Sequence, residues 1–205
     1  MEINLIGFLA GLALAIPLGP MAILLITTTM AKGRRVGVTA ALAMASVDFS
    51  YSILVFTLGG ALIAALEQWL VALRIAGSVL LILVALKIAL DAKKNSGRAG
   101  STIGKENKSL LSTFTTFFGL TVINPATAFY FVGITPSVSA IRGSDLLLDA
   151  LSFGAGVYCG SILWQFFLIF TSHLLAKTMN AKLQIRLQYV GSVLIVALAI
   201  WLLIR

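Results

Sequence analysis

Apolar residues fall in six long blocks, roughly 4–30, 36–65, 70–90, 110–134, 146–172 and 187–204, and charge collects between them. A hydrocarbon core takes about 20 helical residues to cross, and only helices or closed barrels can cross it. The strict alternation of polar and apolar positions that a barrel strand needs is not visible. The pattern therefore predicts an all-α, polytopic membrane protein with six transmembrane helices. The only sizeable polar stretch is 91–109, DAKKNSGRAGSTIGKENKS. Its Gly, Ser and Lys content reads as a mobile linker. It divides the chain into residues 1–90 and 110–205, each with three apolar blocks.

The two halves resemble each other. The third block reads AGSVLLILVAL from Ala76, and the sixth reads VGSVLIVALAI from Val190. The first contains GLALAIP ending at Pro17, and the fourth contains GLTVINP ending at Pro125. Blocks two and five agree weakly, around SIL at Ser52 and again at Ser161. With three helices in each half, the second half enters from the opposite side. The expectation is a 3+3 inverted-topology repeat, as in many secondary transporters.

Composition agrees with that picture. The chain is 60% hydrophobic and 11% charged, with mean hydropathy +1.05, against roughly 25% charged in a soluble domain. A net charge of +8 would suit nucleic acid, but its distribution says otherwise. Twelve of the 15 Lys and Arg fall between blocks one and two (Lys32, Arg34, Arg35), at or between three and four, or between five and six. Only Arg74, Arg142 and Arg205 fall on the other side. The positive-inside rule then makes the basic loops cytoplasmic and puts both termini outside. MEINLIGFLAG has no basic residue before the first block, so that block is expected to be a retained helix rather than a cleaved signal. The single cysteine, Cys159, excludes an internal disulfide, a CxxC redox pair and a cysteine metal site.

Three features carry candidate chemistry. In LAIPLGPMAIL, Pro17 and Pro20 flank Gly19. Each proline removes a helix hydrogen bond, and in lipid a freed backbone group costs several kcal/mol unless protein or water satisfies it. Asn124–Pro125 makes a matching break in block four, where the asparagine amide can satisfy freed backbone or reach a ligand. Pro17 lies about 13 residues into its block, roughly 20 Å at 1.5 Å per residue. Interrupted helices at matching positions point to a transport site. The third feature is Asp48, the only ionisable residue well inside a block. It costs at least about 2.5–3.5 kcal/mol in lipid and has no Lys, Arg or His at its depth, which suits a proton or cation site. Ser52 follows one turn later on the same face, with Ser46, Ser50 and Tyr51 nearby. Gln165 reads as an interhelical hydrogen bond. Gly7 and Gly11, and Gly156 and Gly160, have GxxxG spacing. That predicts close helix packing, within a protomer or between protomers of a homodimer.

The pattern G-x-x-x-x-x-P-x-G-P from Gly11 to Pro20 resembles the lysine exporter (LysE/RhtB) family, as do KGRRVGVTAALAMASVDF, which ends just past Asp48, and GLTVINPATAFYF. The resemblance covers nearly the whole chain. It implies an exporter of amino acids or similar solutes in the bacterial inner membrane, driven by the proton gradient; with no nucleophile–base pair or metal cluster in the sequence, no enzymatic activity, cofactor or metal is expected. Two departures stand out. Many members have PGP where this chain has PLGP, with Leu18 inserted. Basic amino-acid exporters often carry an acid soon after the NP motif, where this chain has ATAFYF. A neutral amino acid is thereby favoured over a dibasic one. The alternative reading, a cation or metal exporter or channel, would want several His, Cys or carboxylates converging, and only Asp48 is available at depth.

Overall fold

The computed structural model describes residues 3–17, 19–59 and 109–178, residue 61, and single helical positions between 71 and 90 and between 189 and 200; the side chains at 20, 125 and 173–178 are outside this description. The described residues form helices and connecting turns, with no strand among them. Six helices have assigned bounds: α1 (Ile3–Ala15), α2 (Pro20–Lys32), α3 (Arg34–Leu58), α4 (Leu110–Val122), α5 (Pro125–Ser139) and α6 (Leu146–Thr178). The linker 91–108, Leu18, Arg74, Lys182, Arg186 and Arg205 lie outside the described residues, as do the side chain of Lys177 and most of the third and sixth blocks.

The breaks expected at Pro17–Pro20 and at Asn124–Pro125 fall between separate helices. The first block is two helices of 13 residues each, α1 and α2. At 1.5 Å per residue each is about 20 Å long, too short to cross a hydrocarbon core alone. The fourth block is likewise α4 and α5, bent by 53° at Ile123–Asn124. Among the described residues, two helices are long and apolar enough to cross a membrane, Arg34–Leu58 and Leu146–Ser172, or three if the bent pair counts as one span. Proline causes both breaks. Pro20 and Pro125 each occupy the first turn of the second helix, where the missing N–H is no loss and the fixed φ suits a start.

The other ends are equally local in origin. Gly33 and Gly59, which among the described residues are the two with positive φ (89° and 47°), lie at the C-terminal ends of α2 and α3. Ser109 caps α4 by accepting from Ser112 N at 3.2 Å. Serines and threonines inside the helices bond back to their own carbonyls, as Thr29 does to Leu25 O at 2.7 Å and Thr135 to Phe131 O at 2.9 Å. That satisfies hydroxyls without opening the apolar surface.

The long helices α3 and α6 run antiparallel. Phe56 meets Phe153 near one end, and Met44 joins Leu168 in one cluster toward the other. Around this pair lie two apolar clusters. One gathers Met21, Ala22 and Leu25 of α2, Ala40, Ala41, Ala43 and Met44 of α3, Phe117 of α4, and Leu168 and Ile169 of α6. The other gathers Val55 and Phe56 of α3, Phe131 and Val138 of α5, and Ala150, Phe153 and Val157 of α6, with Ile3, Ile6, Ala10 and Leu14 of α1 against it. Each half-helix of a broken pair thus belongs to a different cluster. Ala85, of the third block, packs on Ile23 and Leu24 of α2 together with Val196 of the sixth.

Helix α1 lies along α6 in the same direction, with backbone against backbone. A Cβ at Gly7 would meet Phe153 O, and one at Gly11 would meet Val157 O. From the other side, Gly156 faces Asn4 O and Phe8 N, and Gly160 faces Phe8 O. The four glycines with GxxxG spacing are therefore occupied by one another's helices inside the protomer.

Candidate functional site

The gap between the two clusters is polar. Along α3 one cluster ends at Met44 and the other resumes at Tyr51, with Asp48 between them. Along α6 one ends at Val157 and the other begins at Trp164, with Ser161 between them. The two meet: Ser161 Oγ donates to Asp48 Oδ2 at 2.6 Å. One turn along α6, Gln165 Nε2 donates to Ser161 Oγ at 2.8 Å. All three residues are buried, Asp48 at 5% and Gln165 at 3% exposure. Gln165 Oε1 has no hydrogen-bond partner.

A cavity of about 200 Å³ opens at this level. Both helix breaks reach it. From the first come Ala13, Leu14, Ala15, Pro17, Gly19, Met21, Ala22 and Leu25, and from the second come Thr121, Asn124, Ala126, Thr127 and Tyr130. Met44 and Asp48 of α3 and Gln165 and Leu168 of α6 complete the wall. The C-terminal ends of α1 and α4 and the N-terminal ends of α2 and α5 thus all border one space. Such ends carry partial negative and partial positive charge respectively. Among the described residues Asp48 is the only acid in the wall, and no Lys, Arg or His lines it.

The two breaks are held differently. At the first, Gly19 N donates to Pro17 O at 2.7 Å in a tight turn, and Gly19 precedes α2 without a side-chain cap. At the second, Asn124 Oδ1 accepts from Ala126 N, and its Nδ2 donates to Thr127 Oγ1, both at 3.2 Å. Two tyrosines brace the breaks. Tyr51 donates to Val122 O at 2.7 Å, satisfying a carbonyl in the last turn of α4. Tyr130 donates to Ala10 O at 2.6 Å, tying α5 to α1. Their rings both contact Phe131, Tyr51 stacked and Tyr130 edge-on.

Of the residues expected from sequence, Pro17, Gly19, Asp48 and Asn124 line the cavity, with Pro20 and Pro125 as the adjoining helix starts. Ser52 does not. It is fully buried and donates to Phe49 O at 2.6 Å in its own helix. Ser46 and Ser50 likewise bond to their own helix. Gln165 bonds within α6 rather than between helices, so the interhelical bond belongs to Ser161. Sequence reasoning passed over Ser161, Tyr130, Thr121 and Thr127. Only Ser161 had a signal, the SIL shared with Ser52. Among the described residues no three His, Cys, Asp or Glu side chains converge.

A family model described as LysE type translocator matches residues 12–205. No curated protein and no solved structure matches the chain.

Proposed function

The chain belongs to the LysE type translocator family, a family of transporters for efflux of amino acids or related solutes rather than of enzymes, and from that premise we propose that it exports a small neutral amino acid in exchange for protons. The observation that carries the reading is Asp48, the single acid among the described residues on the wall of a small cavity where both helix breaks meet. A zwitterion fits this wall. Its carboxylate suits the N-terminal ends of α2 and α5. Its ammonium suits Asp48 and the carbonyl ends of α1 and α4. The volume of about 200 Å³ lies below the roughly 300–1,000 Å³ of drug-sized sites. A second fixed positive charge on the substrate would find no second acid in the wall, which favours neutral over dibasic amino acids.

Asp48 then alternates between substrate ammonium and proton, so that one leaves as the other enters. The order of elements supports two structurally equivalent halves: a broken pair then a long helix, α1–α2–α3 and again α4–α5–α6. We read these as a 3+3 inverted repeat of six spans, residues 1–90 and 110–205 around the 91–109 linker. The basic loops face the cytoplasm of a bacterial inner membrane. Counterflow of labelled neutral amino acids in proteoliposomes tests the reading. Wild-type protein should exchange at least one of L-alanine, L-threonine and L-leucine and drive it with a proton gradient. Asp48→Asn should insert normally and fail to do so. Undiminished proton-driven export by that variant refutes the role of Asp48.

A further inference from the structure

The amide of Gln165 has a fixed orientation. A serine hydroxyl has one hydrogen, and Ser161 gives it to Asp48. Ser161 Oγ can then only accept from Gln165, so Nε2 must face the serine and Oε1 must face away. That oxygen is buried without a partner, in a residue that forms part of the cavity wall. A buried acceptor left unpaired is costly, and a donor arriving in the cavity removes the cost. Asp48 Oδ2 and Gln165 Nε2 bond the same Ser161 oxygen, so carboxylate and amide stand within two hydrogen-bond lengths of each other.

We propose that Gln165 Oε1 and the Asp48 carboxylate form a two-point receptor for a primary ammonium group, with Ser161 as the positioning residue that aims the amide. The proposal rests on the amino-acid export reading and deepens it. Charge alone would let Asp48 accept any amine. Two acceptors that share one ammonium require two N–H donors on one nitrogen. A primary ammonium has three, and an N,N-dimethylated one has one. The site therefore selects α-amino acids with a free amine and discriminates against N-dialkylated analogues of the same charge.

Counterflow in proteoliposomes tests this, using whichever of labelled L-alanine, L-threonine and L-leucine the wild type carries best, competed by the same amino acid and by its N,N-dimethyl derivative. The wild type should prefer the free amine by at least about tenfold, the lower end expected for one hydrogen bond to a charged group. Gln165→Met, close in shape but without an acceptor, should weaken half-saturation by about tenfold and abolish the preference. If the methionine protein does not elute as a single species, Ser161→Ala, which removes the oxygen that aims the amide and leaves both acceptors, decides: it should lessen the preference, and an unchanged preference overturns the proposal. Equal competition by the two compounds at wild type overturns the proposal but leaves the export reading standing. So does an unchanged preference in Gln165→Met. Counterflow of none of the three amino acids overturns both.

Discussion

An alanine at Gly11 should destabilise the protein, and the size of the effect follows from the contact it disturbs. The added Cβ would lie 2.8 Å from both C and Cα of Val157, and closer still to its carbonyl oxygen. Carbon atoms pack best at about 3.5–4.0 Å, so α1 must back away from α6 by roughly 1 Å. The obstacle is main chain in the middle of a 33-residue helix, and no rotamer change can relieve it. Overpacking of this kind costs about 1–3 kcal/mol. Helix propensity works the other way, since alanine is better than glycine in a helix by up to about 1 kcal/mol. The clash should win at Gly7, Gly11, Gly156 and Gly160. At Gly119 and Gly133, where a Cβ meets nothing within 4 Å, propensity should win. Thermal unfolding of detergent-purified variants, followed by loss of the monodisperse elution peak, measures both signs. For a chain of this size 1 kcal/mol moves the midpoint by about 2–4 °C. Gly11→Ala should fall by several degrees, while Gly119→Ala and Gly133→Ala hold or rise. A Gly11→Ala midpoint at or above that of Gly119→Ala refutes the backbone-on-backbone packing of α1 against α6.

Three further substitutions read other parts of the structure. Asp48→Asn should lower substrate affinity by at least about tenfold, the loss of a charge-assisted bond, while membrane levels stay normal by immunoblot. Asn124→Ala removes the cap on α5 and the bond to Thr127. It should cost about 1–2 kcal/mol in thermal unfolding, with Asn124→Ser recovering most of it. Gly59→Ala puts a side chain at φ 47° and against the guanidinium of Arg142. It should cost about 1–2 kcal/mol from backbone alone, so adding Arg142→Ala should restore only part of the stability.

The helix breaks were legible in the sequence because proline and glycine act locally. Pro17, Gly19, Pro20 and Pro125 determine where helices stop and start whatever surrounds them. Asp48 was legible because its cost in lipid is large and unconditional. Its partner was not. Periodicity puts Ser52 on the face of Asp48, but a hydroxyl inside a helix has a nearer acceptor in its own backbone, and Ser52 takes Phe49 O. Ser161 reaches Asp48 only because α3 and α6 pack antiparallel at this register, a fact of tertiary structure. The bonds of Tyr51 and Tyr130 were hidden for the same reason. Their acceptors, Val122 O and Ala10 O, lie 71 and 120 residues away and are carbonyls, which sequence does not mark.

The placement of the breaks follows from what sits on either side of them. Helices α3 and α6 run unbroken through both apolar clusters and carry the polar layer at the seam. The interrupted chains do not: α2 and α4 pack into one cluster, α1 and α5 into the other. An unbroken helix joining the clusters would move them together. On the proposed export reading, a break at the seam would let one cluster shift against α3 and α6 while the other stays packed. The bonds across the breaks run between elements of opposite halves of the chain: α5 to α1 through Tyr130, and α3 to α4 through Tyr51. Opening a path to the cavity past α1 and α5 must break the Tyr130 bond to Ala10, whereas opening past α2 and α4 leaves it intact. If export proceeds by opening the cavity alternately past these two pairs, Tyr130→Phe should shift access toward the side of α1 and α5. Cysteine labelling at Ala13 and at Leu25, which border the cavity, reads that shift as a rise at the first position and a fall at the second; equal changes at both would mean that the two clusters move as one.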